Sequence, residues 1–148
     1  MAANSEAVGR PRTISWIAWL AILYGVVTLG QKIFVTVSPE AYDLTREFFD
    51  KLNQNALVRL PFEAHMAHGL AGSIVFAVAG IFMLLGRNWA RLLLLLWPLT
   101  ALALTFIVSG FSLLLGLKTL TYGILAFFLL RPATAEYFQR MRADRKAA

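Results

Sequence analysis

The sequence predicts an all-α integral membrane protein: a four-helix bundle with an amphipathic extracytoplasmic helix between its first two spans. Three observations favour this fold class. Four long apolar stretches fill most of the 148 residues, 59% of the chain is hydrophobic, and only 15% is charged. Soluble proteins average about 25% charged residues. Each stretch approaches the ~20 residues that a helix needs to cross a hydrocarbon core of ~30 Å.

The predicted spans cover residues 14–35, 67–85, 89–108 and 113–130. Each has to be helical, because lipid offers the backbone no hydrogen-bonding partner. The third and fourth spans form almost one apolar run, which as a single helix would be ~63 Å long, about twice the membrane thickness. A hairpin at residues 109–112, where Gly110 permits a tight turn, resolves the excess.

The N-terminal segment resembles the start of a signal peptide, because Arg10 and Arg12 precede an apolar run. That run is longer than a signal-peptide core, however, and no A-x-A-like cleavage site follows it. We therefore predict an uncleaved signal anchor, preceded by a disordered cytoplasmic segment of residues 1–13.

Charge distribution predicts the orientation. Basic residues flank the N-terminal start, the turn at Gly86 and the C-terminal segment 131–148, whereas the loop of residues 38–63 carries five acidic and three basic residues. Positive charge favours the cytoplasmic side, so both termini and the Gly86 turn are predicted inside. We therefore attribute the net charge of +6 to the basic residues that orient the chain in the membrane, and not to nucleic-acid binding. The basic tail is either a short amphipathic helix on the inner surface or a frayed charge run.

The external loop is predicted to contain a helix over residues 39–58. Ser38 is a capping residue, and Pro39 suits the first helical position. Leu44, Phe48 and Leu52 recur every four residues and form an apolar face. The expected helix lies on the outer membrane surface or caps the mouth of the bundle.

Small residues predict the packing centre. The second span carries Gly69, Gly72, Ser73, Ala77 and Gly80, which allow another helix to approach closely. The sequence leaves open whether that helix belongs to the same chain or to a second copy.

Lys118 is the most informative polar residue, because a charge inside a span costs ~2.5–3.5 kcal/mol on insertion scales. It either points into the bundle or snorkels to the outer surface. If it points inward, its partner is Glu63, another acid of the external loop or an anionic ligand. Gln31 and Lys32 lie at similar depth, and one hypothesis is that Lys32, His65, His68 and Lys118 converge on one outward-facing pocket. The full candidate ligand-binding set is Lys118, Lys32, Gln31, Glu63, His65 and His68.

His65 and His68 share a helix face, which also makes them weak candidates for a metal site. Two imidazoles bind Zn²⁺ or Cu²⁺ firmly only with a third or fourth ligand. The simpler interpretation places both at the headgroup level as half-hydrated polar groups, so no metal or other cofactor is assigned.

Catalytic apparatus is not recognisable in this sequence. There is no cysteine, no nucleophile–base pair and no phosphate-binding loop. No carboxylate lies deep in a predicted span, which argues against a proton-coupled transporter. We assign no catalytic residue and favour a non-enzymatic protein.

Two segments resemble the inner-face boundaries of small uncharacterised bacterial four-span inner-membrane proteins. They are residues 85–93 (LGRNWARLL) and 128–132 (FLLRP). The resemblance implies a bacterial inner membrane and carries no activity or site residue.

These features lead to two functional expectations. The first is an accessory or structural subunit that acts through helix–helix or lipid contacts, in a larger membrane complex or a homo-oligomer. The alternative is a small-molecule, anion or lipid-binding protein or carrier with its pocket around Lys118, His65 and His68. In both, membrane lipids are partners and nucleic acid is not.

Overall fold

The computed structural model describes residues 11–52, 54, 56, 58, 60–109 and 112–147. In this part of the chain it is all-α, with no strand, which confirms the predicted class. The six helices are α1 (Arg12–Val37), α2 (Pro39–Leu52), α3 (Phe62–Leu84), α4 (Asn88–Ser109), α5 (Leu113–Leu130) and α6 (Pro132–Ala147). The predicted N-terminal segment up to residue 10 and the glycine of the 109–112 turn lie outside the described residues.

Three helices, α1, α3 and α4, are long and apolar enough to cross a membrane. This confirms a protein with transmembrane helices. The apolar part of α5 is shorter, covering Leu115–Leu130. α4 continues through Pro98, whose side chain is buried against the rest of the bundle.

The backbones of α1 and α3 touch along the small-residue face. A Cβ on Gly25 would lie 2.5 Å from the amide nitrogen of Ala77, and one on Gly80 would lie 2.7 Å from the carbonyl oxygen of Ala18. Backbone atoms cannot move aside as a flexible side chain can. The partner of this face is therefore α1 of the same chain, which answers the question that the sequence left open.

Apolar packing is concentrated at the end of the bundle that carries α6, called here the α6 end. The buried cluster consists of Ile14, Ala18, Ala21, Ala79, Met83, Ala90, Leu94, Leu129, Tyr137 and Phe138. Phe138 is only 1% exposed, and the guanidinium of Arg91 lies 5.7 Å from its ring centre. The C-terminal segment is thus a docked helix and not a frayed run.

The α3–α4 turn requires its glycine. Gly86 has φ 68°, a left-handed backbone conformation that is sterically unfavourable for residues with a Cβ. The amide of Arg87 donates to the carbonyl of Phe82 at 2.9 Å, and that of Gly86 donates to Met83 at 3.0 Å. This pair of bonds is the Schellman arrangement, which satisfies the last carbonyls of α3.

The opposite end, called the α2 end, holds a smaller cluster. Val35, Phe62 and Met66 are buried there, with Tyr42 and Phe49 of α2 packed against them. The Ser38 hydroxyl accepts from the amide of Ala41 at 3.4 Å and so caps α2.

Two helix bounds at this end differ from the predicted ones. α2 ends at Leu52, earlier than the predicted 58, where an Asn-Gln-Asn sequence follows. α3 begins at Phe62, five residues before the predicted apolar span that starts at 67, and Pro61 directly precedes it. The predicted bounds followed hydropathy, whereas these helix ends follow local turn chemistry.

Substituting Gly25 by Ala should separate α1 from α3 and lower the stability of the protein. The added methyl group overlaps backbone atoms of α3, and overpacking of this kind costs about 1–3 kcal/mol. Thermal unfolding in detergent measures the loss. The matched control is Gly30→Ala on the same helix, where a Cβ meets nothing within 4 Å. Equal melting temperatures for the two variants would contradict the close contact.

Candidate functional site

A pocket of about 410 Å³ lies at the α2 end, between α2 and the longer helices. Helices α1 to α5 all contribute to its wall. The lining residues are Lys32, Thr45, Phe48, Phe49, Leu60, Phe62, Ala64, His65, His68, Ala101, Leu104, Thr105, Val108 and Lys118. Four of the six ligand-binding candidates, Lys32, His65, His68 and Lys118, therefore line the same pocket.

Lys118 points towards α4. Its ammonium donates a hydrogen bond to the Thr105 hydroxyl at 3.1 Å, and that hydroxyl donates to the carbonyl of Ala101 at 2.7 Å. The single hydroxyl hydrogen is thus used on the backbone, which leaves the oxygen free to accept from the lysine. This chain of bonds fixes the ammonium on the pocket wall.

Lys32 reaches the pocket across the face of α3. Its ammonium lies 3.5 Å from the Met66 sulfur, a weak acceptor. A Cβ on Gly69 would lie 3.0 Å from Cε of Lys32, so the glycine leaves the space through which the lysine stem passes. Gly69 was predicted to pack another helix, and here it accommodates a side chain.

His68 is held by α4. Its ring stacks on Trp97 with centres 5.2 Å apart, and its Nε2 lies 3.3 Å from the Thr100 hydroxyl oxygen. That hydroxyl donates its hydrogen to the carbonyl of Trp97 at 2.7 Å, so it accepts from the imidazole. The network therefore assigns the hydrogen to Nε2 and leaves Nδ1 without it in the neutral ring.

Gly72 explains how Trp97 reaches this position. A Cβ on Gly72 would lie 2.8 Å from the indole Nε1 of Trp97. The glycine thus lets the indole seat against α3, beside His68. Here, too, a small residue of the second span receives a side chain and not a helix backbone.

His65 faces α2. Its ring centre lies 4.9 Å from that of Phe49, which also makes an edge contact with Phe62 at 5.4 Å. The two imidazoles therefore engage different helices. Within the described part of the chain, no group of three or more His, Cys, Asp or Glu residues is arranged to hold a metal ion.

The other two candidates are placed elsewhere. Gln31 and Glu63 are exposed and do not line the pocket. Each follows or precedes a lining residue on its helix by one or two positions. A helix turns by 100° per residue, so these side chains leave on other faces.

Thr105, which accepts from Lys118, and the apolar wall of the pocket are not among the residues predicted from the sequence. Thr105 and Lys118 lie at equal distances from the middle of residues 111 and 112, so a hairpin there brings them to the same depth. That symmetry was a usable signal. Phe48, Phe49 and Leu104 offered none, because their place depends on how α2 and α4 are rotated.

The charges of the pocket are unbalanced. Two lysines and two histidines are among the described residues that line it, and none of these residues carries a carboxylate. The one ion pair among the residues described joins Lys51 to Glu47 at 2.7 Å, on exposed positions of α2. That hydrogen bond and the positive charge of Lys51 lower the pKa of Glu47. Neither pocket lysine has such a partner.

A second pocket carries no comparable chemistry. It has a volume of about 150 Å³ and is lined by apolar side chains and Tyr24.

No family model, curated protein or solved structure matches this chain. A functional assignment therefore has to come from the chemistry of the larger pocket.

Replacing Lys118 by Met should stabilise the ligand-free protein. The substitution keeps the length of the stem and removes a charge that has no counter-ion, which is expected to gain on the order of 1 kcal/mol. A higher melting temperature in detergent is the expected result. Lys51→Met on α2 is the control, because that lysine is 65% exposed and paired. An unchanged or lower melting temperature for Lys118→Met would mean that the ammonium is solvated.

Proposed function

We propose that this protein is a four-span integral membrane protein that binds a small ligand in the pocket beneath α2. One observation carries the proposal: Lys32 and Lys118, from the first and last of the apolar helices, line the same pocket without a carboxylate. Charges at this depth are costly, and they are typical of substrate, ion or ligand sites. The pocket also has the apolar lining and few convergent polar groups that ligand sites share.

The position of α5 supports a fourth span. Near one end, Lys118 bonds to Thr105 of α4, and near the other, Leu129 packs in the same cluster as Leu94. α5 therefore runs antiparallel to α4 over most of its length. Its 18 residues correspond to about 27 Å, close to the thickness of a hydrocarbon core.

The charge pattern supports an orientation with the α6 end in the cytoplasm. Arg87, Arg91 and Arg131 lie at that end, as does the basic helix α6. Acidic residues are concentrated on α2 at the other end. Leu44 and Phe48 of α2 are 69% and 63% exposed, which suits a helix lying in the outer membrane interface. We assign the bacterial inner membrane from the resemblance of residues 85–93 and 128–132.

The accessory-subunit hypothesis stays a prediction with less support. The small-residue face of α3 packs against α1 or receives side chains of the same chain, so it is not left for a partner. Gly116 and Gly123 on α5 have open space where a Cβ would be, but lipid covers such a surface as well as a protein does. The pocket is the more specific feature.

Topology mapping tests the threading. A phosphatase–fluorescent-protein reporter pair fused after residue 147 should report a cytoplasmic position, and fusions between α2 and α3 should report the outer side. If both fusions report the same side, the number of crossings between them is even, which would contradict the three spans α3, α4 and α5. A cytoplasmic loop fusion would contradict the orientation.

Ligand retention tests the binding role. We expect wild-type protein, purified gently from its native membrane, to retain a small molecule that mass spectrometry of the extracted sample detects. Lys118→Leu should lose it, because one of the two ammonium groups is removed. Lys51→Leu, outside the pocket, should retain it. A ligand retained equally by all three proteins, or by none, would remove the support for a binding role.

A further inference from the structure

The geometry points to the class of ligand: an amphiphile with an anionic head group and one alkyl chain inside the pocket. We infer that the head group lies between Lys32 and Lys118 and that the alkyl chain lies along the apolar wall. This inference deepens the proposed function and rests on it.

The two ammonium groups leave several donors unused. Each carries three N–H groups. Lys118 uses one on the Thr105 hydroxyl, and Lys32 directs one to the Met66 sulfur. At least two donors on each lysine are thus available, and the lining contains no carboxylate to take them. Carboxylate and phosphate oxygens accept such charge-assisted bonds most strongly.

The histidines do not neutralise this site. His68 gives its Nε2 hydrogen to Thr100, which itself has no hydrogen left to offer the imidazole. His68 is therefore already engaged with α4. His65 packs on Phe49 and experiences the positive charges of both lysines. A cationic ligand would be repelled by both lysines, whereas an anionic ligand would neutralise their charge.

Apart from Thr45 and Thr105, the rest of the described wall is apolar. Phe48 and Phe49 contribute from α2, and Ala101, Leu104 and Val108 contribute from α4. A small inorganic anion would leave this surface without a partner. An alkyl chain attached to the anion would cover it, and the two parts of one ligand would then match the two parts of the pocket.

The volume of the pocket limits its content to one alkyl chain. About 410 Å³ is near the lower end of the roughly 300–1,000 Å³ that ligand pockets occupy. A two-chain lipid would not fit whole, although one of its chains could enter. The same chemistry thus has two sources, a free amphiphile from the outer aqueous phase or an anionic lipid of the membrane.

Dodecyl phosphate is the probe for the free source. Native mass spectrometry in a non-ionic detergent should detect one molecule bound to the wild-type protein. Dodecyltrimethylammonium has the same chain with a cationic head group, and dodecanol has a neutral one. Neither compound should bind at the concentration at which dodecyl phosphate binds. Phosphatidylglycerol in nanodiscs, compared with phosphatidylcholine, is the probe for the membrane source.

The variants separate the head-group site from the wall. Lys32→Met and Lys118→Met should each weaken dodecyl phosphate binding on the order of tenfold, because each removes charge-assisted hydrogen bonds. Lys51→Met should bind as the wild type does. Gly69→Ala should weaken binding by a smaller factor, because the added methyl group displaces the Lys32 stem. Circular dichroism of each variant establishes that it is folded.

The outcomes distinguish the two levels of inference. Binding of dodecyl phosphate or phosphatidylglycerol that depends on both lysines supports the amphiphile, and the probe that binds identifies its source. Equal binding of the three dodecyl compounds, or binding unaffected by either lysine variant, would falsify the anionic head group. If neither probe binds while the native ligand is still lost in Lys118→Leu, the amphiphile is wrong and the binding role stands. If that loss is also missing, both are wrong.

Discussion

The backbone contact between α1 and α3 is the constraint on which the rest of this structure depends. Gly25 and Gly80 remove the side chains that would hold the two helices apart, so their backbones meet directly. In lipid, helices gain little from burying apolar surface, and close packing is what holds them together. The same contact aligns the C-terminal part of α1 with the start of α3. Lys32 consequently passes beside Gly69 and Met66 into the bundle instead of into lipid.

Packing and polarity are divided between the two ends of the bundle. The α6 end is filled by apolar side chains, and α6 adds Tyr137 and Phe138 to it. The α2 end holds a smaller cluster and the pocket with its two lysines. The division is not complete, because the Nε and Nη1 atoms of Arg91, beside Phe138 at the α6 end, are buried without a hydrogen-bond partner among the described residues.

The sequence predicted the elements of the candidate site better than their directions. Hydropathy and the cost of a buried charge identified Lys118 and Lys32 at matching depth, and both line the pocket. Gln31 was named for its depth beside Lys32, and Glu63 as an acidic partner of Lys118, but both side chains leave their helices on other faces. Gly69 and Gly72 were recognised as small, yet the structure fills the space above them with Lys32 and Trp97. Small residues indicate a close approach, but they do not indicate whether a helix backbone or a side chain makes it.

Helix formation, the depth of each polar residue and the presence of membrane-crossing helices followed from the sequence alone. They depend on hydropathy and on the need of every peptide group for a hydrogen bond in lipid, which are properties of a segment by itself. The rotation of each helix about its axis was decided only by tertiary packing. An apolar side chain has almost the same energy against lipid as against another helix, so hydropathy carries no record of which face meets a neighbour. The rotation of the helices brings Lys118 to Thr105 and places both residues in the same pocket wall as Lys32.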